Sequence, residues 1–157
     1  MIDEHPAHGR YMLRLATESD RDFVLTLWRE SLGPYVAPLF GHWDEAAAGR
    51  NFAAKQNNGL LIIIVDAQAV GVLHMSQEKD WLFLNEVELV SSVRQQGLGT
   101  QIMADINAYA DTNTMHLELQ VLATNPAKRL YERVGFETTH FKMHRKPERR
   151  QDHTTGL

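Results

Sequence analysis

The spacing of apolar residues along the chain switches repeatedly between the period of a strand and that of a helix. Tyr11 to Ala16 alternates and predicts a short strand. Thr17-Glu18-Ser19-Asp20 follows with helix N-cap chemistry, and Phe23, Val24, Leu27 and Trp28 repeat at helical spacing behind it. Gly33 and Pro34 predict the end of that helix, so Gly33 to Gly41 reads as a loop rich in aromatics and breakers. A second helix is expected from about Trp43 to Lys55, closed by Gln56-Asn57-Asn58-Gly59. Three strands come next. Leu60 to Asp66 is apolar without a break as far as Val65, as burial on both faces requires, and Val70 to Ser76 and Trp81 to Val90 follow after turns. Leu98, Ile102, Met103, Ile106 and Tyr109 mark another helix, Met115 to Leu122 a strand, and a short helix leads to a last strand over Phe136 to Met143.

The order β-α-α-β-β-β-α-β-α-β, with runs of antiparallel strands, indicates an α/β (α+β) mixed sheet rather than a doubly wound one. Residues 1–10 carry no periodic pattern and read as a flexible arm. Residues 11–143 form the expected single domain. From His144 the chain is basic, with Arg145, Lys146, Arg149 and Arg150, and reads as a disordered or surface-bound tail.

Composition narrows the function classes. The 157 residues fit one domain, and their net charge of −4 disfavours a cationic nucleic-acid binder. The absence of cysteine excludes a disulfide framework, a cysteine nucleophile and a thiolate metal site. The longest apolar run, Leu60 to Val65, is too short for a membrane span, and the acidic start lacks a hydrophobic leader. A cytoplasmic protein with no membrane partner is expected. His5 with His8 and His140 with His144 are pairs without a third ligand, so no metal is expected.

Two segments carry candidate chemistry. In Arg94-Gln95-Gln96-Gly97-Leu98-Gly99-Thr100, between a strand and a helix, the glycines allow a tight turn close to a ligand. The helix start behind them suits a phosphate or pyrophosphate, with Arg94 as a charged donor. No Gly-Lys-Ser/Thr follows, which excludes a Walker loop. A dinucleotide fingerprint has Glu118 about twenty residues on but Ile102 where a small residue belongs. In Asn125-Pro126-Ala127-Lys128-Arg129-Leu130-Tyr131-Glu132-Arg133-Val134-Gly135-Phe136, Asn125, Pro126 and Gly135 have capping roles that suffice to explain them.

Together, Arg-x-x-Gly-x-Gly and Asn-x-x-x-x-Leu-Tyr-x-x-x-Gly-Phe, about thirty residues apart, resemble the GCN5-related N-acetyltransferase (GNAT) family, as does the order of elements from Tyr11 to Met143. The resemblance implies that Arg94 and the amides of Gln95, Gln96, Gly97, Leu98, Gly99 and Thr100 hold the acyl-CoA pyrophosphate. It implies that the main chain of Val87 and Leu89 pairs with the pantetheine arm, and that Asn125 contacts the cofactor or only caps its helix. Tyr131 would protonate the departing thiolate. Tyr35, Phe40, His42 and Trp43 would wall the acceptor pocket.

An amine with a pKa near 10.4 must lose a proton before attack, so a general base is sought. The positions where relatives carry it hold Phe83, Asn85 and Gln120 here. Glu86, Glu88, Glu118, His74 and His140 remain, with Glu86 the first choice. The expected activity is transfer of an acetyl group from acetyl-CoA to a primary amine, small molecule or peptide, by direct attack in a ternary complex. A non-catalytic acyl-CoA sensor or interaction module is the alternative. A homodimer is also expected.

Overall fold

The computed structural model describes residues 10–120, 128–139 and 142–148. Its elements are β1 (Met12–Leu15), α1 (Arg21–Phe40), α2 (Glu45–Asn57), β2 (Leu61–Val65), β3 (Gln68–Glu78), β4 (Trp81–Leu89), α3 (Leu98–Thr112), β5 (His116–Gln120), α4 (Lys128–Arg133), β6 (Glu137–Thr139) and β7 (Lys142–Arg145). The hydrogen-bonded strand order is β1-β2-β3-β4-β5-β7-β6. The ladders β1/β2, β2/β3, β5/β7 and β6/β7 are antiparallel. The β4/β5 ladder is parallel, from Trp81↔His116 to Leu84↔Leu119. The mixed α/β reading of the sequence holds.

The chain forms two compact units. The first contains the described residues up to Ser76 together with Asn85–Gly99. Val24, Leu27, Trp28 and Ser31 fall at helical spacing on one face of α1 and are all buried. Trp28 packs in one apolar cluster with Phe52 of α2, Ile62 of β2 and Val72 of β3. Asp44 caps α2, accepting from the Ala47 N–H at 3.0 Å. At the start of α1, Asp20 accepts two hydrogen bonds from Arg14, at 2.7 and 2.8 Å, which holds its carboxyl below the ordinary carboxylate range.

The second unit contains Gln77–Leu84 and the described residues from Thr100. Ile102, Met103 and Ile106 are buried at i, i+1, i+4 spacing on α3, and Leu117 and Leu119 are the buried alternation of β5. Arg145 pairs bidentately with Asp111, both contacts at 2.8 Å.

Two boundaries differ from the sequence expectation. The first helix does not stop at Gly33 but continues through Pro34 and Pro38 to Phe40, where Gly41 closes it in the left-handed conformation (φ 83°). Each proline removes one backbone donor, freeing the carbonyls of Glu30 and Pro34. Glu30, Pro34 and Pro38 are exposed, on a side of the helix that solvent reaches, where loss of a backbone donor costs least. The basic tail, in turn, does not begin at His144. His144 and Arg145 belong to β7, and Arg145 is buried because Asp111 partners it. The single last strand predicted over Phe136 to Met143 is two, β6 and β7.

Candidate active site

Two carboxylates stand on the part of β4 that lies in the first unit. Glu86 accepts from the Trp28 indole N–H and from the Lys55 ammonium, so each of its oxygens has a protein donor. Its side chain is only 7% exposed. Lys55 also lies 5.1 Å from the Trp28 ring centroid, a cation–π geometry that ties α1, α2 and β4 together. Glu86, the first choice of base from sequence, thus has one lone pair on each oxygen engaged by a protein donor.

Glu88 has a different environment. Burial, and then the neighbouring Glu86 charge, push its carboxyl up to about 7 against the opposing pull of Arg94, Ser31 and Lys55. Arg94 donates from Nη2 to Ser31 Oγ at 2.6 Å, and the Ser31 hydroxyl interacts in turn with Glu88. A chain of polar groups therefore runs from Arg94 through Ser31 to the carboxylate. Gly71 on β3 makes this placement possible. A Cβ there would sit 2.3 Å from the Glu88 carbonyl oxygen, so only glycine lets the two strands approach so closely. The ladder closes just beyond, with Val90 N–H donating to Val70 O at 2.8 Å.

The glycine turn follows β4. Gln95 (φ 64°) and Gly97 (φ 80°) are left-handed, and α3 begins at Leu98. The first four N–H groups of any helix lack intrahelical acceptors, so Leu98, Gly99 and Thr100 present donors there. Arg94, expected to face a pyrophosphate, is exposed and has two of its nitrogens engaged by the protein, Nε with Leu89 O at 2.9 Å and Nη2 with Ser31. Leu89, expected to pair with pantetheine through its main chain, thus has one carbonyl lone pair already used. Val87 is half-buried on β4.

A cavity of about 500 Å³ lies in the first unit, lined by Trp28, Leu32, His42, Trp43, Ala48 and Asn51, among others. Its size suits a small ligand. Of the four residues expected to wall an acceptor pocket, His42 and Trp43 line this cavity. Tyr35 and Phe40 lie in the last turns of α1 instead of a loop, and their side chains are outside the described part.

The other candidates fall out as follows. Tyr131, on α4 in the second unit, is 9% exposed and meets Phe136 edge-on at 6.1 Å. Phe83 stacks near Trp81 at 6.3 Å, and Asn85 donates to Ser76 Oγ at 3.0 Å. Gln120 is exposed and Glu118 half-buried on β5. His74 is buried with Nε2 3.0 Å from the Asn58 carbonyl, which fixes the proton on Nε2. Asn125 and His140 lie outside the described residues. No group of three His, Asp or Glu able to hold a metal occurs among the described residues.

The sequence profile of the acetyltransferase (GNAT) domain matches residues 37–147. The chain belongs to the GNAT family. Solved structures share its fold at low sequence identity. The PaiA N-acetyltransferase of Thermoplasma acidophilum, in complex with coenzyme A, superposes with a TM-score of 0.66 at 14% identity, over 87% of this chain and 98% of its own. The ribosomal-protein-S18-alanine N-acetyltransferase of Escherichia coli gives 0.66 at 15%, over 90% and 97%. An acetyltransferase of Thermus thermophilus gives 0.69 at 18%, over 87% and 97%. No curated protein matches the chain in sequence.

The cofactor that the GNAT family implies is an acyl-CoA. The turn fits its anionic part: Gln95 and Gly97 are left-handed just before the start of α3, and the Arg10 guanidinium lies beside Gly97. Trp28, Ser31 and Lys55 were not singled out from sequence. Trp28 has the spacing of a core residue, and no short motif announces an indole N–H aimed at a carboxylate 58 positions away.

Proposed function

We propose that this GNAT protein transfers an acetyl group from acetyl-CoA to a primary amine, with Glu88 as the general base. The observation that carries the reading is the half-buried Glu88, which titrates near neutrality on β4 of a chain from an acetyltransferase family. A base whose pKa lies near the operating pH combines a deprotonated fraction with real basicity, which is what a protonated amine needs. Glu88 takes one proton from the ammonium, and the neutral amine nitrogen then bonds to the thioester carbonyl carbon. The C–S bond breaks to release a thiolate, which Tyr131 protonates, and the nitrogen passes its second proton to the resulting phenolate, leaving the amide. Backbone donors of the turn hold the pyrophosphate, with Val87 and Leu89 beside the pantetheine arm. The amine enters through the cavity walled by Trp28, His42 and Trp43.

Thiol release from acetyl-CoA over a panel of amines tests this, run beside thermal shifts with acetyl-CoA and NADH. Turnover that Glu88→Gln abolishes supports the assignment. Stabilisation by acetyl-CoA with no turnover on any amine returns the protein to the acyl-CoA sensor reading.

A further inference from the structure

We infer that Arg10, not Arg94, supplies the cation that meets the pyrophosphate of acyl-CoA; this rests on the acetyl-CoA reading above. Arg94 stands where the motif leads one to expect that cation, and it is exposed, but its Nε and Nη2 already donate to the Leu89 carbonyl and to Ser31, which tethers the guanidinium to the end of β4. The tether has its own reason, because Arg94 opposes the charge of Glu88, which Ser31 also meets. The turn is not left without a positive charge. Arg10, which just precedes β1, donates from Nη2 to the Gln96 carbonyl, and its Nη1 lies 3.6 Å from where a Cβ of Gly97 would be. Arg10 is itself exposed, so its guanidinium has donors free for an incoming anion.

The division of labour follows from geometry. An arginine inside the motif is adjacent in sequence to the strand that carries the base, and serves that strand. An arginine 86 positions away from Gln96 reaches the turn through the Gln96 carbonyl and so occupies none of the turn's amide donors. A planar guanidinium beside Gly97, at the start of α3, is a suitable partner for phosphate oxygens. On ligand entry the Gln96 carbonyl and a phosphate oxygen share the fork of donors.

The test is titration calorimetry of wild type, Arg10→Gln and Arg10→Lys with acetyl-CoA, dephospho-acetyl-CoA (lacking the ribose phosphate) and acetyl-pantetheine. Arg10→Gln is expected to weaken acetyl-CoA and its dephospho form alike, by about tenfold at low salt, from the loss of one charged hydrogen-bonding partner. Acetyl-pantetheine should bind both proteins equally. In about 1 M salt, where screening falls to about 3 Å, the tenfold gap should close to roughly threefold or less, and Arg10→Lys should recover part of it. A gap that ignores salt would show that Arg10 only braces the Gln96 carbonyl. A gap confined to the form with the ribose phosphate would move the contact to that group. Equal affinities of wild type and Arg10→Gln would remove Arg10 from the site while leaving the acetyl-CoA reading intact. No binding of acetyl-CoA by wild type would remove both.

Discussion

Trp28 donates its indole N–H to Glu86, joining the middle of α1 to the strand that carries the proposed base. The contact distinguishes two neighbouring glutamates. Glu86 is held by Trp28 and Lys55, and Glu88, two residues on, meets Ser31 and the charges of Glu86, Arg94 and Lys55. Replacing Trp28 by Phe should leave a buried carboxylate oxygen without its donor. That omission costs about 1–3 kcal/mol and should lower Tm by roughly 5 °C in a thermal melt. An unchanged Tm would mean that the indole bond contributes nothing net.

Glu88 should govern the pH profile. The acetylation rate, read as kcat/KM, should rise with pH through an apparent pKa of about 7 and then level off. In Glu88→Gln the rise should vanish along with most of the activity. Stability should respond in the opposite sense. A carboxyl raised from 4.5 to about 7 contributes stability that is whole below 4.5 and is lost as the pH climbs to about 7. Urea denaturation of wild type against Glu88→Gln across that window should show the variant gaining relative stability as pH rises.

Asp20 should do the reverse. Arg14 lowers its carboxyl below the ordinary 3.8, so its contribution is present above that value and is lost on acidification below it. Asp20→Asn should lose stability near neutrality and show a shallower acid limb in the same denaturation series.

Gly71→Ala should disturb β4 at Glu88 more than it disturbs the rest of the sheet. The added Cβ meets backbone at 2.3 Å, which no rotamer relieves, so the strand must shift. A stability loss of about 1–3 kcal/mol and a drop in kcat are expected, the former from denaturation and the latter from thiol release. Wild-type kinetics in this variant would separate Glu88 from the reaction.

The acceptor should be a monoamine with an apolar or aromatic body. The cavity is walled by Trp28, Leu32 and Trp43, with the capping carboxylate of Asp44 also in its lining. Apolar walls stabilise an apolar body on the amine, whereas a second ammonium set against them is desolvated at a cost. Phenethylamine should therefore exceed spermidine in kcat/KM by about tenfold. Lys55→Met, by releasing Glu86, should narrow that ratio; a wild-type preference for spermidine would overturn the reading.

Tyr131→Phe should lower kcat by about tenfold and leave KM for acetyl-CoA near its wild-type value. A thiol with a pKa near 8.5 leaves readily, so the proton that Tyr131 supplies is a modest aid.

Local pattern and two short motifs carried the order of elements, the alternation of β5 and the glycine turn before α3. They do so because hydrophobic period and backbone freedom act over a few residues. The same local rules placed a helix end at Gly33 and Pro34, where exposure of the freed carbonyls let α1 run on to Phe40. They also gave His144 and Arg145 to a tail, since nothing near them in sequence reveals Asp111, 34 positions earlier.

The amino-acid sequence by itself determined the family, the glycine turn at Gln95 to Thr100 and the two candidate carboxylates of β4. Only the tertiary structure decided how each carboxylate is partnered, which distant side chain reaches the turn and which aromatic residues share a cavity. The physical reason is that a charge is tuned by what surrounds it in space. Trp28, Lys55, Ser31 and Arg10 reach the strand and turn from distant parts of the chain, and no spacing rule encodes their arrival.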